Sequence, residues 1–245
     1  MQPTTMSSSI ERGADRRRVT GASLRRIPFF HEVPESVLVP LATVSSRQVL
    51  GHGDLLWQPD DALEAIFVLA AGVVRLYRDV DNGQEITVAL LDRGQVCGLT
   101  GLDDAAFLPT TVAQSLTEET VVYRIPRRDF AAFLRANPAV ALRALDSTCR
   151  RVRDAYDLLA LPDARARVAY VLAHLVRDNG ERTVWTTHEE LATWARGRRE
   201  AVTGEVLPDL RERGLIAYER HRRSIRVLDR AGLLALATDG RAHVR

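Results

Sequence analysis

Thr187-His-Glu-Glu-Leu-Ala-Thr-Trp-Ala-Arg-Gly-Arg-Arg-Glu-Ala-Val202 decides how the C-terminal third of the chain is read. Thr187 with Glu190 three residues on is the pattern of a capping box, so a helix begins there. Leu191, Trp194 and Ala195 supply its inner face. Arg196-Gly197 predicts a tight turn, and a second helix starts near Arg198. Downstream, Arg213-Gly-Leu-Ile216 leads to two short strands, Ala217–Glu219 and Ser224–Val227, flanking the basic tip Arg220-His-Arg-Arg223. Helix, short turn, helix and basic hairpin together make a winged helix-turn-helix pattern.

The chemistry suits double-stranded DNA. The second helix of such a motif enters the major groove by its N-terminal end, and Arg198, Arg199 and Glu200 stand there. Arginine can donate two hydrogen bonds to guanine, and glutamate can accept one from cytosine. Thr187, His188, Arg198, Arg222 and Arg223 are placed to position phosphates, with Thr203 one turn along the second helix. The plainer reading is a solvated, charged helix and turn.

Upstream, Pro162 stops one helix and Asp163 caps the next, whose apolar face is Val168, Val171, Leu172, Leu175 and Val176, ended by Asn179-Gly180. Between Asn137 and Pro162, the positions Leu142, Leu145, Cys149, Val152, Tyr156 and Leu159 recur at alternating spacings of three and four. That is a coiled-coil seam, read as a homodimer contact. The alternative is a helix packed on its own domain, although a strict two-position stripe is narrow for that.

The N-terminal half has a different texture. From Arg47 to Ile125, short apolar runs alternate with turns: Leu63–Ala70, Val73–Arg78, Glu85–Leu91 and Thr120–Ile125, with Asn82-Gly83 as a strong hairpin signal. Many short strands suggest a small barrel or sandwich. Ile27 to Val44 holds two short helical patterns around Pro34 and Pro40, and residues 1–20 read as a flexible, Arg-rich arm.

The chain has 245 residues, 46% hydrophobic and 27% charged, which excludes a chain disordered throughout. No apolar run reaches the roughly 20 residues of a membrane helix. The N-terminus lacks the apolar core of a secretory signal, so a cytoplasmic protein with no membrane contact is expected. Two cysteines, Cys97 and Cys149, cannot make a disulfide framework or a four-thiolate metal site. There is no lysine, so all 34 basic groups are guanidinium. Residues 1–26 carry a net +4, residues 27–162 a net −6, and residues 163–245 a net +4. Basic ends around an acidic middle suggest a polyanion partner. No nucleophile–base constellation, metal-ligand spacing or phosphate loop is present, which argues against an enzyme and against a metal or cofactor.

The order of these parts resembles the CRP/FNR family of bacterial transcription regulators. The likeness covers residues 27–236 and rests on Ile27-Pro-Phe-Phe30, on Phe67-Val-Leu-Ala-Ala-Gly-Val-Val-Arg-Leu-Tyr77, and on Asp92-Arg-Gly94 to Gly98-Leu-Thr-Gly101. It rests equally on Arg199-Glu-Ala-Val202 and Arg213-Gly-Leu-Ile216. The resemblance implies an α+β fold in five parts. These are a basic arm (1–26), a jelly-roll-like β-barrel of cyclic-nucleotide-binding type (27–138), a dimerisation helix (139–162), a winged helix-turn-helix (163–236) and a tail (237–245). It implies a homodimer acting at a near-palindromic DNA site with RNA polymerase.

Three departures qualify that. Members of the family that bind cAMP hold its ribose with a glutamate and its phosphate with an arginine. Here those positions are Leu99 and Pro109 or Thr110, and no Lys, Arg or His occurs from Gly94 to Tyr123. A buried phosphate needs a cation or several N–H donors, so cAMP is not expected in the usual mode. Cys97, Leu99, Thr110, Thr111 and Tyr156 would line any pocket for another effector. The dimer helix is also about one turn shorter than in the best-known member. Finally, the recognition helix carries one extra residue. Val202 is followed by Thr203, Gly204 and Glu205 before Val206-Leu207-Pro208, which predicts a π-bulge or kink from Gly204 to Pro208. The family's third base-reading position, usually an arginine, then falls at Gly204 or Glu205. A second reading, a small-molecule or redox sensor with a degenerate DNA-binding domain, follows from that loss.

Overall fold

A computed structural model describes residues 14–15, 18–79, 85–102, 108–176, 182–218 and 224–239. These divide into two compact units, one of residues up to Val74 with Arg93–Ser147, the other of Arg75–Asp92 with Thr148 onward. The fold class is α+β, as expected.

The first unit is built on antiparallel strands. β1 (Ala14–Asp15), β2 (Ser46–Leu50), β4 (Ala65–Ala71), β7 (Val96–Cys97) and β9 (Thr120–Pro126) form one sheet in the order β1-β2-β9-β4-β7. Val49 pairs with Val121 and Leu69 with Val122, and the register shifts between Leu69 and Ala71. β3 (Leu55–Trp57) pairs with β8 (Val112–Ser115). At Gly72 the chain leaves β4 with φ +81, and an added Cβ would lie 2.5 Å from Thr120 Oγ1. Glycine alone fits that turn.

Helices pack against this sheet. α1 (Gly21–Arg25) is closed by a capping box between Thr20 and Ser23. A 3₁₀ turn at Pro28–Phe30 and α2 (Glu35–Val44) follow. Leu24, Ile27, Phe30, Leu38, Phe130 and Val140 share one core, with Phe29 and Phe30 edge to face at 4.8 Å. Residues 18–26 are therefore not part of a flexible arm. Val19 and Leu24 are buried, so the first domain begins before Ile27. Arg16 and Arg17 lie outside the described residues.

α3 (Arg127–Ala136) follows β9 directly, and α4 runs Pro138–Leu159, 22 residues or about 33 Å. β5 (Val74–Asp79) and β6 (Glu85–Leu91) are neighbouring strands of one sheet, lying from Arg75 on in the second unit, and the expected Asn82-Gly83 hairpin turn falls outside the described residues. α5 (Ala164–Leu175) is capped by Asp163, whose carboxylate accepts from Ala166 N at 2.8 Å. The expected face of α5 is buried throughout, while Asn179-Gly180 lies outside the described residues.

β10 (Thr183–Trp185), β12 (Ser224–Val227) and β11 (Ile216–Tyr218) form a small sheet in that order, with Val184 and Tyr218 both opposite Ile225. The final helix α9 (Arg230–Asp239) extends past the expected boundary at 236. Ala237 packs with Leu158, Leu161, Ala166 and Tyr170, so the start of the expected tail is core instead. Among the described residues no helix is long and apolar enough to cross a membrane.

Candidate nucleic-acid interface

α6 (His188–Trp194) opens on the predicted capping box. Thr187 Oγ1 accepts from Glu190 N at 3.1 Å, and Glu190 Oε2 accepts from Thr187 N at 2.7 Å. The hydroxyl of Thr187 thus caps the helix. The turn after α6 is a Schellman motif: Gly197 N donates to Ala192 O at 2.8 Å and Arg196 N to Thr193 O at 3.1 Å. The left-handed residue is Arg196 at φ 53, not the glycine beside it. Gly197 matters for closeness, since a Cβ there would stand 3.1 Å from Val202 Cγ2.

The next helix is composite. α7 (Arg199–Ala201) widens into a π-turn over Val202–Val206, and α8 (Leu207–Glu212) completes it. The expected bulge is present but begins two residues earlier than Gly204 and closes before Pro208. Proline is tolerated in the first turn of a helical segment, where its missing N–H costs nothing, so the wide turn is completed ahead of it. Val202, Val206, Leu207 and Leu210 point inward, while Arg198, Arg199, Glu200, Thr203, Gly204 and Glu205 are exposed. The π-turn absorbs the extra residue and keeps the apolar face continuous.

His188 is half-buried behind this surface. Its Nδ1 lies 3.2 Å from Thr203 Oγ1 and its ring meets Tyr218 edge-on at 5.8 Å. Burial, with the Arg199 guanidinium nearby, holds its pKa below the ordinary histidine value. Thr203 thereby supports His188 as well as facing outward. Arg222 and Arg223 lie outside the described residues.

The residues expected around an effector do not share one setting. Cys97 is fully buried and its thiol donates to Phe67 O at 3.5 Å, an ordinary packing role. Leu99, with Leu102, packs against the first unit's core. Thr110 is exposed and Thr111 half-buried. Sequence reasoning missed Arg127, which is buried and donates to Gly98 O at 2.6 Å, to Thr100 O at 2.9 Å and to Gly101 O. One guanidinium thus holds three carbonyls of the loop. Its signal was legible: Arg127, Phe130, Ala131 and Leu134 fall on a single helical stripe, with a cation where an apolar residue is expected.

On α4 the predicted seam faces solvent. Leu142 is 67% exposed, Leu145 59%, Val152 47%, Tyr156 68% and Leu159 52%, and Cys149 is exposed with them. Val140, Ala144 and Leu158 instead supply the helix's buried contacts. Tyr156, expected in both pocket and seam, lies on the exposed stripe.

Comparison with known proteins agrees with this layout. Residues 47–137 match the cyclic nucleotide-binding domain, and residues 166–236 the Crp-like helix-turn-helix domain. Over 194 residues the chain is 35% identical to the cyclic AMP receptor protein of Thermus thermophilus, covering 77% of this chain and 88% of that one. The chain belongs to the CRP/FNR family. It is a transcription regulator of that type with a helix-turn-helix DNA-binding domain. The global nitrogen regulator of Synechococcus elongatus is 29% identical over 185 residues, covering 70% of this chain and 81% of that protein. A CRP-family regulator from T. thermophilus superposes with a TM-score of 0.61 at 26% identity, over 78% of this chain and 96% of that one. FixK2 from Bradyrhizobium japonicum shares the fold, with a TM-score of 0.63 at 20% identity, over 79% of this chain and 97% of its own.

Proposed function

We propose that this CRP/FNR regulator is a cytoplasmic homodimer that reads a near-palindromic DNA site and acts with RNA polymerase, without cAMP in the usual mode. The observation that carries the dimer is the exposed apolar stripe of α4 from Leu142 to Leu159. Six apolar or weakly polar side chains at heptad spacing leave water only against a second helix of the same kind. Two-fold pairing sets two recognition helices about one DNA turn apart, roughly 34 Å, which demands an inverted repeat.

Arg199 and Glu200 read bases, and Arg198, His188 and Thr187 meet phosphates together with Arg222 and Arg223. Gly204 and Glu205 bring no further base-reading cation to the groove, so reading rests on the first turn of the helix. The alternative of a sensor with a degenerate DNA-binding domain loses ground, because the π-turn preserves both the buried face and the exposed basic end.

The relative from T. thermophilus is named for cyclic AMP, and this chain departs from that chemistry. Leu99 packs into the core, Thr110 is exposed, and Arg127 engages the loop through its carbonyls. No cofactor, metal or catalytic group enters this reading. The test is a Leu145→Glu variant studied by light scattering and DNA titration. The parent should have the mass of a dimer in light scattering and bind one duplex per dimer. The variant is a monomer and loses affinity for the full site. A monomeric parent would overturn the proposal.

A further inference from the structure

The helix-turn-helix is anchored from outside itself. The last four carbonyls of a helix have no partner within it. In α6, Leu191 O accepts from Ala195 N, Ala192 O from Gly197 N and Thr193 O from Arg196 N. The fourth, Trp194 O, accepts from Thr87 Oγ1 of β6 at 3.0 Å, across 107 residues of sequence. The adjoining Ala195 O accepts from Arg167 Nε of α5 at 2.7 Å.

Thr87 is fully buried, and its oxygen in turn accepts from Arg75 Nε of β5 at 2.9 Å. Arg75 is 1% exposed; its Nη1 is paired with Glu85 at 2.5 Å, and its guanidinium lies 4.3 Å from the Tyr77 ring centroid. A hydroxyl that accepts from a cation is the stronger donor to its own acceptor, and low local dielectric strengthens both bonds. Arg75, Thr87 and the helix-turn-helix fall in the same compact unit.

We propose that Thr87 is a positioning residue for DNA reading: the Arg75–Thr87 pair on β5 and β6 holds the turn between the two DNA-binding helices in its reading position. This rests on the DNA-binding function given above. The relay has room for one occupant at each point. Arg75 has one Nε–H, Thr87 has one O–H, and Trp194 O stands at the last turn before Arg198 and Arg199. The basic end of the recognition helix stays exposed while the relay is closed, so the contact supports reading instead of masking it.

The test compares Thr87→Val, which keeps the shape and removes the hydroxyl, with Thr87→Ser, which keeps it. Anisotropy titrations use the selected palindromic duplex and a random duplex of the same length. Thr87→Val should bind the palindrome about tenfold more weakly and random DNA equally well, while Thr87→Ser stays within about twofold of the parent. Hydrogen exchange at residues 195–197 should quicken in Thr87→Val alone. Palindrome affinity unchanged in Thr87→Val, or equal loss in Thr87→Ser, would overturn the proposal. If the parent selects no DNA, the functional reading fails, and exchange at 195–197 then decides this one. Unchanged exchange in Thr87→Val sinks it, and faster exchange supports it.

Discussion

The N–H of Leu207 donates to the carbonyl of Val202, five residues back instead of four. That one bond records how the recognition helix takes in an extra residue. Without the wider turn, everything after Val206 would rotate by roughly 100°, and Leu207 and Leu210 would leave the core. With it, both remain fully buried.

Gly204 lies inside this turn, exposed and without left-handed φ, and an added Cβ there meets nothing within 4 Å. Its backbone freedom is then a pure cost to the folded state. Gly204→Ala should raise stability by about 0.5–1 kcal/mol in urea unfolding. A loss of stability would mean that the π-turn depends on glycine.

Arg199 is exposed at the first turn of α7. Its replacement by alanine should cost about 1–3 kcal/mol at one base pair and relax preference there, read by titration against single-base variants of the site. Equal loss on specific and random DNA would move Arg199 from reading bases to holding phosphates.

His188 gives the interface a pH dependence. In the free protein, burial and Arg199 depress its pKa, so the ring is neutral at pH 7. A DNA phosphate beside the ring favours the charged form, so binding takes up a proton. Affinity at fixed salt should therefore rise as pH falls from about 8 to about 6, and His188→Gln should flatten the curve. A flat curve in the parent would remove His188 from the phosphate contacts.

Arg127 is the cation on which the loop after β7 depends. Arg127→Leu strips three loop carbonyls, those of half-buried Gly98 and Gly101 and of exposed Thr100, of this donor at once. It should lower stability by about 2–4 kcal/mol, measured as a shift in the unfolding midpoint. A shift below about 1 kcal/mol would show that water replaces the guanidinium.

Local patterns carried much of this fold in the sequence. Thr187 and Glu190 are three residues apart and need no tertiary partner to form a capping box, so their reading matches the structure. The stripe of α4 is likewise a matter of spacing, and the count of residues between Val202 and Leu207 is enough to require a bulge. What spacing cannot show is where a distant donor lands. Arg75 and Thr87 look like ordinary strand residues, and only the folded chain carries them to Trp194 O. The start of the bulge escaped for a related reason. Pro208 marks where a helix is stressed, but the wide turn forms where the backbone N–H groups can still bond, before it. Thr20 and Ser23 form a capping box in a stretch expected to be a flexible arm, because a five-residue helix is too short for hydrophobic periodicity.

The most direct measurement is selection of bound duplexes from a random pool, first without ligand and then with cAMP. The account predicts an inverted repeat enriched without ligand, its half-sites about one helical turn apart, and no change on adding cAMP. Enrichment only with cAMP, or a single half-site in both arms, would contradict it.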